Sequence, residues 1–253
     1  VDNKIVSKNF SLIDFKNIDN NNFSVVNQFT VKGLDTKRPD IVIFVNGLPI
    51  VVIELKNPFD PKADVISAYN QVKNYQKNIE QIFYTNNLNI ISDGFDTKIG
   101  SITSNFEWYR SWRNNESKYQ TNLRNILYDY MRKETLLNIL NFFTVIEKSQ
   151  NLQEGILKST YEKKIAGYHQ FRATENTFVK IKEKFSSKSD KRGGIIWHSP
   201  GGGKSLTMVF ITGKVTRLLL NPTILVLTDR NDLDNQLLED FSKNKDFLRQ
   251  EPK

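Results

Sequence analysis

The chain contains no cysteine in its 253 residues, so neither a disulfide framework nor a thiolate-bound zinc centre is open to it. Histidine is nearly missing as well: His169 and His198 are the only two, and no paired-histidine metal site is expected. Any divalent cation must therefore sit on carboxylates, the hard oxygen ligands that suit Mg²⁺ or Mn²⁺. Apolar runs are short. Ile41 to Val45 and Ile50 to Ile53 are strand-sized and far below the ~20 residues of a membrane span. The sequence opens at Val1 without a signal-peptide pattern, and a soluble, cytoplasmic protein is expected, present here as part of a longer chain. Low complexity is confined to Ser186 to Arg192, and no internal repeat is found.

Lys and Arg number 36 against 28 Asp and Glu, a net charge of +8 that favours a polyanionic partner without identifying one. The length exceeds the ~100–200 residues of one domain, so two units are expected. From Phe23 to Lys56, β-branched runs separated by Gly33, Pro39 and Asn46-Gly47 read as strands and hairpins. Val65, Ala68, Tyr69, Val72 and Ile79 then mark a helix over 64–79, followed by strands at Ile82 to Thr85, Leu88 to Ser92 and Ile99 to Thr103. A Leu/Ile/Phe/Tyr-rich stretch from Tyr119 to about Lys148 reads as one or two connecting helices, with a boundary near Ser149 to Gly155. Beyond it, helix (170–185), strand (194–197), helix (204–220), strand (223–228) and helix (233–241) alternate as in a parallel α/β sheet. The expected division is residues 1–115, a helical connector over 116–155, and 156–253.

Asp40 stands before one apolar strand, and Glu54 and Lys56 end the next, so a hairpin turning near Asn46-Gly47 brings the three together. Period two puts Glu54 and Lys56 on one face. Two such carboxylates can hold a Mg²⁺ ion at a scissile phosphate, and a lysine beside them can orient the attacking water or stabilise developing charge. Without function, Asp40 would be a turn residue and the other two a solvated strand end. The geometry sets a condition. A plain two-residue turn pairs Asp40 with Ile53 and throws it onto the face opposite Glu54. Either a three-residue loop, Val45-Asn46-Gly47 with Gly47 left-handed, or a bulge elsewhere in the hairpin is therefore required. The pattern Arg38-Pro39-Asp40 with Glu54-Leu55-Lys56 resembles the PD-(D/E)xK nuclease superfamily. Gln71 and Tyr75, one helical turn apart, resemble the Q-x-x-x-Y element of its RecB-like members, which implies that they position substrate or catalytic groups. Taken alone, they would be a surface glutamine and a core tyrosine.

In the second unit, Ile195-Ile196-Trp197 leads into Ser199-Pro200-Gly201-Gly202-Gly203-Lys204-Ser205 and then a helix. Glycines let backbone N–H groups wrap a phosphate at a helix N-terminus; Lys204 would reach the β- and γ-phosphates of ATP and Ser205 would ligate Mg²⁺. His198 replaces the first glycine of the usual pattern, a departure that resembles superfamily 2 helicases. Gly167-Tyr168-His169-Gln170 resembles the adenine-reading glutamine element of those motors, which implies ATP binding by Gln170. Thr228-Asp229-Arg230 resembles their motif Ia, which implies DNA-backbone contact by Thr228 and Arg230. Trp108 and Trp112 read first as a local cluster packed on the sheet.

In this order the motifs resemble the R (restriction and translocation) subunit of type I restriction enzymes. The resemblance implies an α/β chain: an α+β PD-(D/E)xK nuclease domain followed by the first part of a RecA-like motor domain. It also implies Mg²⁺ and ATP as cofactors, double-stranded DNA as substrate, and methyltransferase and specificity subunits as partners. The acidic motor motif and the second motor lobe are not in this sequence, so 1–253 alone is expected to show no DNA-stimulated ATPase activity. A helicase-type motor with a non-catalytic DNA-binding module, and a docking fragment without catalysis, remain the alternatives at this level.

Overall fold

The computed structural model describes residues 10–60, 62–113, 123–153, 156–185, 192–219, 222–228 and 231–248. Its first half is built on a five-stranded mixed sheet. The strands are β1 (Phe23–Asn27), β4 (Ile41–Val45), β5 (Leu48–Leu55), β6 (Leu88–Ser92) and β7 (Thr97–Gly100), in that spatial order. A small ladder of β2 (Val31–Lys32) and β3 (Thr36–Lys37) stands apart. All sheet neighbours are antiparallel except β5 and β6, whose parallel pairing is bridged by helix α1 (Val65–Asn78). The helix starts where Asp64 accepts a hydrogen bond from Ser67 N (2.7 Å), a cap whose loss typically costs ~1 kcal/mol. Its buried stripe, Val65, Ala68, Val72 and Tyr75, follows the helical period.

β5 lies in mid-sheet with both faces covered, which explains its unbroken apolar run. Val52 packs with Val72, Tyr75 and Ile91 beneath α1. Ile50, Val51 and Ile53 belong to the other core, which also takes in helices α2 (Leu123–Asp129) and α3 (Lys133–Phe142). That core continues through Phe143 and Val145 into α4 (Tyr168–Phe185) by way of Phe171, into α5 (Lys204–Leu218) by way of Val209 and Phe210, and into α6 (Asn231–Lys243) and α7 (Lys245–Leu248). One hydrophobic core thus joins the nuclease-like sheet to the glycine-loop helix.

Several elements depart from the sequence reading. Ile82 and Phe83 are both buried in a single-turn 3₁₀ helix, Glu80–Phe83, not a strand. Two adjacent buried residues also occur in a strand covered on both faces, as Val51 and Val52 do in β5, so the short apolar run did not by itself separate strand from turn. The connector is helical only through Phe142. It is followed by an antiparallel hairpin of β8 (Thr144–Gln153) and β9 (Ile156–Ile165), in register from Thr144 opposite Ile165 to Gln153 opposite Ile156. The boundary expected at 149–155 falls at the tip of this hairpin. The expected strands at 194–197 and 223–228 form no ladder among the described residues, and Ile195, Trp197, Leu225 and Leu227 are exposed. Parallel strands are stable where neighbours and layers on both faces cover them, and the described residues offer these two no strand to pair with. Trp112 is buried against Tyr130, Tyr168 and Phe171 as a cluster residue, whereas Trp108 is half exposed with the Arg110 guanidinium 5.0 Å from its ring.

Candidate functional site

The hairpin joining β4 to β5 decides the carboxylate site. Its turn is two residues long, Asn46 and Gly47, both at positive φ (51° and 80°), the mirror-image turn that matches strand twist. The three-residue loop is therefore not used. The register shifts instead between Ile43 and Phe44: Val45 pairs with Leu48 and Phe44 with Pro49, but Ile43 pairs with Val51. Ile50 is the additional residue of a β-bulge beside Pro49, which has no N–H to give to a regular ladder. Below the bulge Ile41 faces Ile53, which sets Asp40 opposite Glu54 and on its face of the sheet, the face that α1 covers.

Asp40 is fixed at both oxygens: Oδ2 accepts from Leu55 N and Oδ1 from the side-chain amide of Gln28, each at 2.8 Å. Gln28 also donates its backbone N–H to the Asp40 carbonyl (2.9 Å) and adopts positive φ (51°) to do so. Nothing in the local sequence announced Gln28, because its role comes from β1 running beside β4. Glu54 is 3% exposed. Its Oε1 accepts from Lys56 Nζ at 2.9 Å, while Oε2 is buried with no hydrogen-bond partner. Burial pushes the Glu54 carboxyl above its usual range, the Lys56 ammonium pulls it back, and the Asp40 charge raises it again. Lys56 N is bonded to Ser92 O (2.8 Å), anchoring the end of β5 to β6.

Tyr75 projects from α1 toward these carboxylates. Burial raises its pKa, hydrogen bonding to Gln71 works against this, and the charges of Glu54 and Asp40 raise it further, so its hydroxyl remains a donor. Asp40, Glu54, Lys56, Tyr75 and Gln71 are thus brought together. An orphaned, buried carboxylate oxygen is costly unless something positive meets it. A carboxylate pair with one free oxygen fits a Mg²⁺ ion that keeps several of its waters.

The glycine loop caps α5. Gly203 sits at the N-cap with φ 68°, and a β-carbon there would come within 2.6 Å of the Gln170 amide nitrogen, so the position requires glycine. Gln170 is buried. It donates to Gly203 O (3.1 Å) and accepts from Gly167 N (2.8 Å), binding the start of α4 to the loop. Lys204 Nζ donates to Ser199 O (3.2 Å), and Ser205 lies half-buried in the first turn. His169 Nε2 lies 2.9 Å from Gly202 O, and its ring meets His198 edge-on at 5.0 Å. Burial, then the charges of His169 and Lys204, lower the His198 pKa, and its Nδ1 is buried without a partner. A cavity of about 390 Å³ opens here between Arg110, His169, Trp197, His198 and the loop. Neither histidine was given a binding role from sequence, although His198 was noted at the first-glycine position and His169 stands beside Gln170 in the quoted element; Arg110 was not singled out. Thr228 is exposed, and Arg230 lies outside the described residues.

Comparison with known proteins covers both regions. The profile described as the type I restriction enzyme R protein N terminus matches residues 1–108, and that of the SWI2/SNF2 ATPase matches residues 169–253. The chain is 38% identical to the type I restriction enzyme HindI endonuclease subunit of Haemophilus influenzae, over 95% of this chain and 23% of that protein. It is 29% identical to the SsaAORF53P endonuclease subunit of Staphylococcus saprophyticus, over 92% of this chain and 23% of the relative. It is also 32% identical to the EcoprrI endonuclease subunit of Escherichia coli, over 75% of this chain and 59% of the relative. The chain spans about a quarter of the length of the first two relatives. With one profile over the sheet that carries Asp40 and Glu54, another over the loop that carries Lys204, and relatives whose similarity runs through both, the chain is similar to type I restriction enzyme R proteins across both regions.

Proposed function

We propose that this chain carries the endonuclease site and the opening part of the ATP-driven motor of a type I restriction subunit, the nuclease within residues 1–115, the motor within 156–253 and 116–155 joining them. The reaction is Mg²⁺-dependent hydrolysis of DNA phosphodiesters. In the whole protein it is coupled to ATP-driven translocation along double-stranded DNA, with methyltransferase and specificity subunits as partners. The observation that carries this reading is the β-bulge at Ile50, which sets Asp40 opposite Glu54 while Glu54 Oε2 stays buried and unpartnered.

Asp40 and Glu54 would hold Mg²⁺, which would supply neutralisation of phosphate charge and a more acidic water. Asp40 arrives with its geometry locked by Gln28 and Leu55 N, so no reorganisation is needed as the ion binds. Lys56 supplies a cation within hydrogen-bonding reach of Glu54 and is partly open to solvent, where it can orient the attacking water and stabilise charge on the phosphate. The protonated hydroxyl of Tyr75 donates to Arg38 O (3.4 Å), two residues before Asp40, and faces the charges of Glu54 and Asp40. In the motor, loop N–H groups, Lys204 and Ser205 receive the ATP phosphates, Gln170 sets Gly203, and Thr228 and Arg230 meet the DNA backbone. Assay of DNA cleavage by the assembled complex with Mg²⁺ tests the reading. Asp40→Ala should remove cleavage and spare ATP binding; wild-type cutting by that variant would reduce the first unit to a DNA-binding module.

A further inference from the structure

An ammonium group is buried among three helices. Lys214 lies on α5 ten residues beyond Lys204, ~15 Å along the helix. Its side chain is 5% exposed. Nζ donates to Glu175 on α4 and to Asn138 Oδ1 on α3 (3.1 Å), and Asn138 Nδ2 donates to the same Glu175 oxygen (3.0 Å), closing a triangle of three side chains from three helices. The rings of Phe142, Phe143 and Phe178 surround the ammonium at 5.2, 5.3 and 5.2 Å. One turn further, Arg217 donates to the carbonyl and the side chain of Asn141 on α3.

We propose that Lys214 is a positioning residue that couples the phosphate loop to the nuclease, by holding α5 in one register against α3 and α4. The inference rests on the proposed nuclease and ATP sites. α4 grips the loop at one end through Gln170 and Gly203, and grips α5 at the other through Glu175 and Lys214. α3 in turn buries Leu136, Leu137 and Ile139 in the core that contains Ile43, Ile53 and Ile90 of the nuclease-like sheet. A shift of α5 as the loop takes up phosphate is thereby passed to the sheet. Stability alone gives no reason for the joint. A buried ion pair rarely outperforms a well-packed apolar replacement, and the site already has walls of three aromatic rings. A polar triangle instead allows one alignment of three helices, where sliding apolar contacts would allow several.

The test uses the complete subunit assembled with its partners, measuring DNA cuts, ATP turnover and thermal midpoint. Asn138→Leu severs the arm to α3 and leaves Lys214 paired with Glu175. The double variant Lys214→Met with Glu175→Gln removes both charges, so that no uncompensated ion is left buried. Both should keep ATP turnover within about twofold and an undiminished midpoint, while cuts per ATP hydrolysed fall at least ~5-fold, the lower end of ordinary coupling between sites. A wild-type ratio in both overturns the proposal, as does a parallel loss of cutting and turnover with a lowered midpoint, the mark of a merely structural residue. Asp40→Ala and Lys204→Ala run alongside. If these abolish cutting and turnover respectively while the ratio in the joint variants is normal, the coupling alone is wrong; if they change nothing, the sites themselves are misassigned.

Discussion

The carboxylate site and the phosphate loop are built in opposite ways. Asp40 and Glu54 are fourteen residues apart and meet only because a bulge in β5 corrects the register set by a two-residue turn. Their arrangement is a property of the folded sheet, with Gln28 and Tyr75 reaching in from other elements. Ser199 to Ser205 is contiguous, and its shape follows from local backbone conformation at Gly203 and one side chain, Gln170, that wedges against it. The first site is therefore vulnerable to anything that disturbs strand pairing. The second keeps its shape even though the apolar segments flanking it, Ile195 to Trp197 and Leu225 to Leu227, pair with no strand among the described residues.

Chemical substitutions should split the two sites most sharply. Asp40→Ala or Lys56→Ala in the assembled complex is expected to lower the cleavage rate by at least ~10²-fold, as removal of a group that stabilises transition-state charge does, with ATP turnover retained. Gel assays of DNA cutting beside phosphate release measure both. Lys204→Ala should do the reverse to the motor, removing DNA-stimulated ATP turnover in the long protein while Mg²⁺ binding at the carboxylates persists. Unaltered turnover would remove the nucleotide site from the comparison.

A smaller effect concerns protons. The folded Glu54 has a raised pKa, so the neutral form is favoured by folding. Its contribution to metal-free stability is fully present below the unfolded pKa and lost as pH rises through the folded one. Glu54→Gln should therefore raise the metal-free melting temperature at neutral pH and lose that advantage in acid. Mg²⁺ affinity of the wild type should decline on acidification at a higher pH than an ordinary glutamate would give; melting curves and metal titrations across pH would show a flat difference if Glu54 were solvated. The smallest effect is at the turn. Gly47 has open space where a β-carbon would go but a φ of 80°, so Gly47→Ala should cost ~1 kcal/mol, read by denaturant midpoint, with cleavage kept because the bulge still sets the register.

The same contrast governs how much the sequence revealed. Glu54-Leu55-Lys56 and the glycine loop are short, contiguous signals, and α1 is legible because Val65, Ala68, Val72 and Tyr75 repeat at helical spacing. The need for a register correction was legible too, from counting residues between Asp40 and Glu54, but not the device chosen, since a longer loop or a bulge satisfies the same parity. The β8–β9 hairpin was hidden because its strands mainly pair with each other. Buried Glu147, held by Lys164 (2.7 Å) and Asn244 (3.2 Å), stands where an apolar residue would have shown the alternation. The Lys214 joint was invisible, because its partners are brought together from helices 39 and 76 residues away in sequence.

β5 feeds one core with Val51 and Ile53 and the other with Val52. Its amides can thus exchange hydrogen with solvent only when the layers on both of its faces open together. Val51 to Ile53 should be the last backbone positions in the first half to exchange, at rates that report global unfolding, whereas the exposed segment at 222–228 exchanges by local fluctuation. Partial opening of the protein then leaves the spacing of Asp40 and Glu54 intact, and the cutting site disappears only with the fold itself.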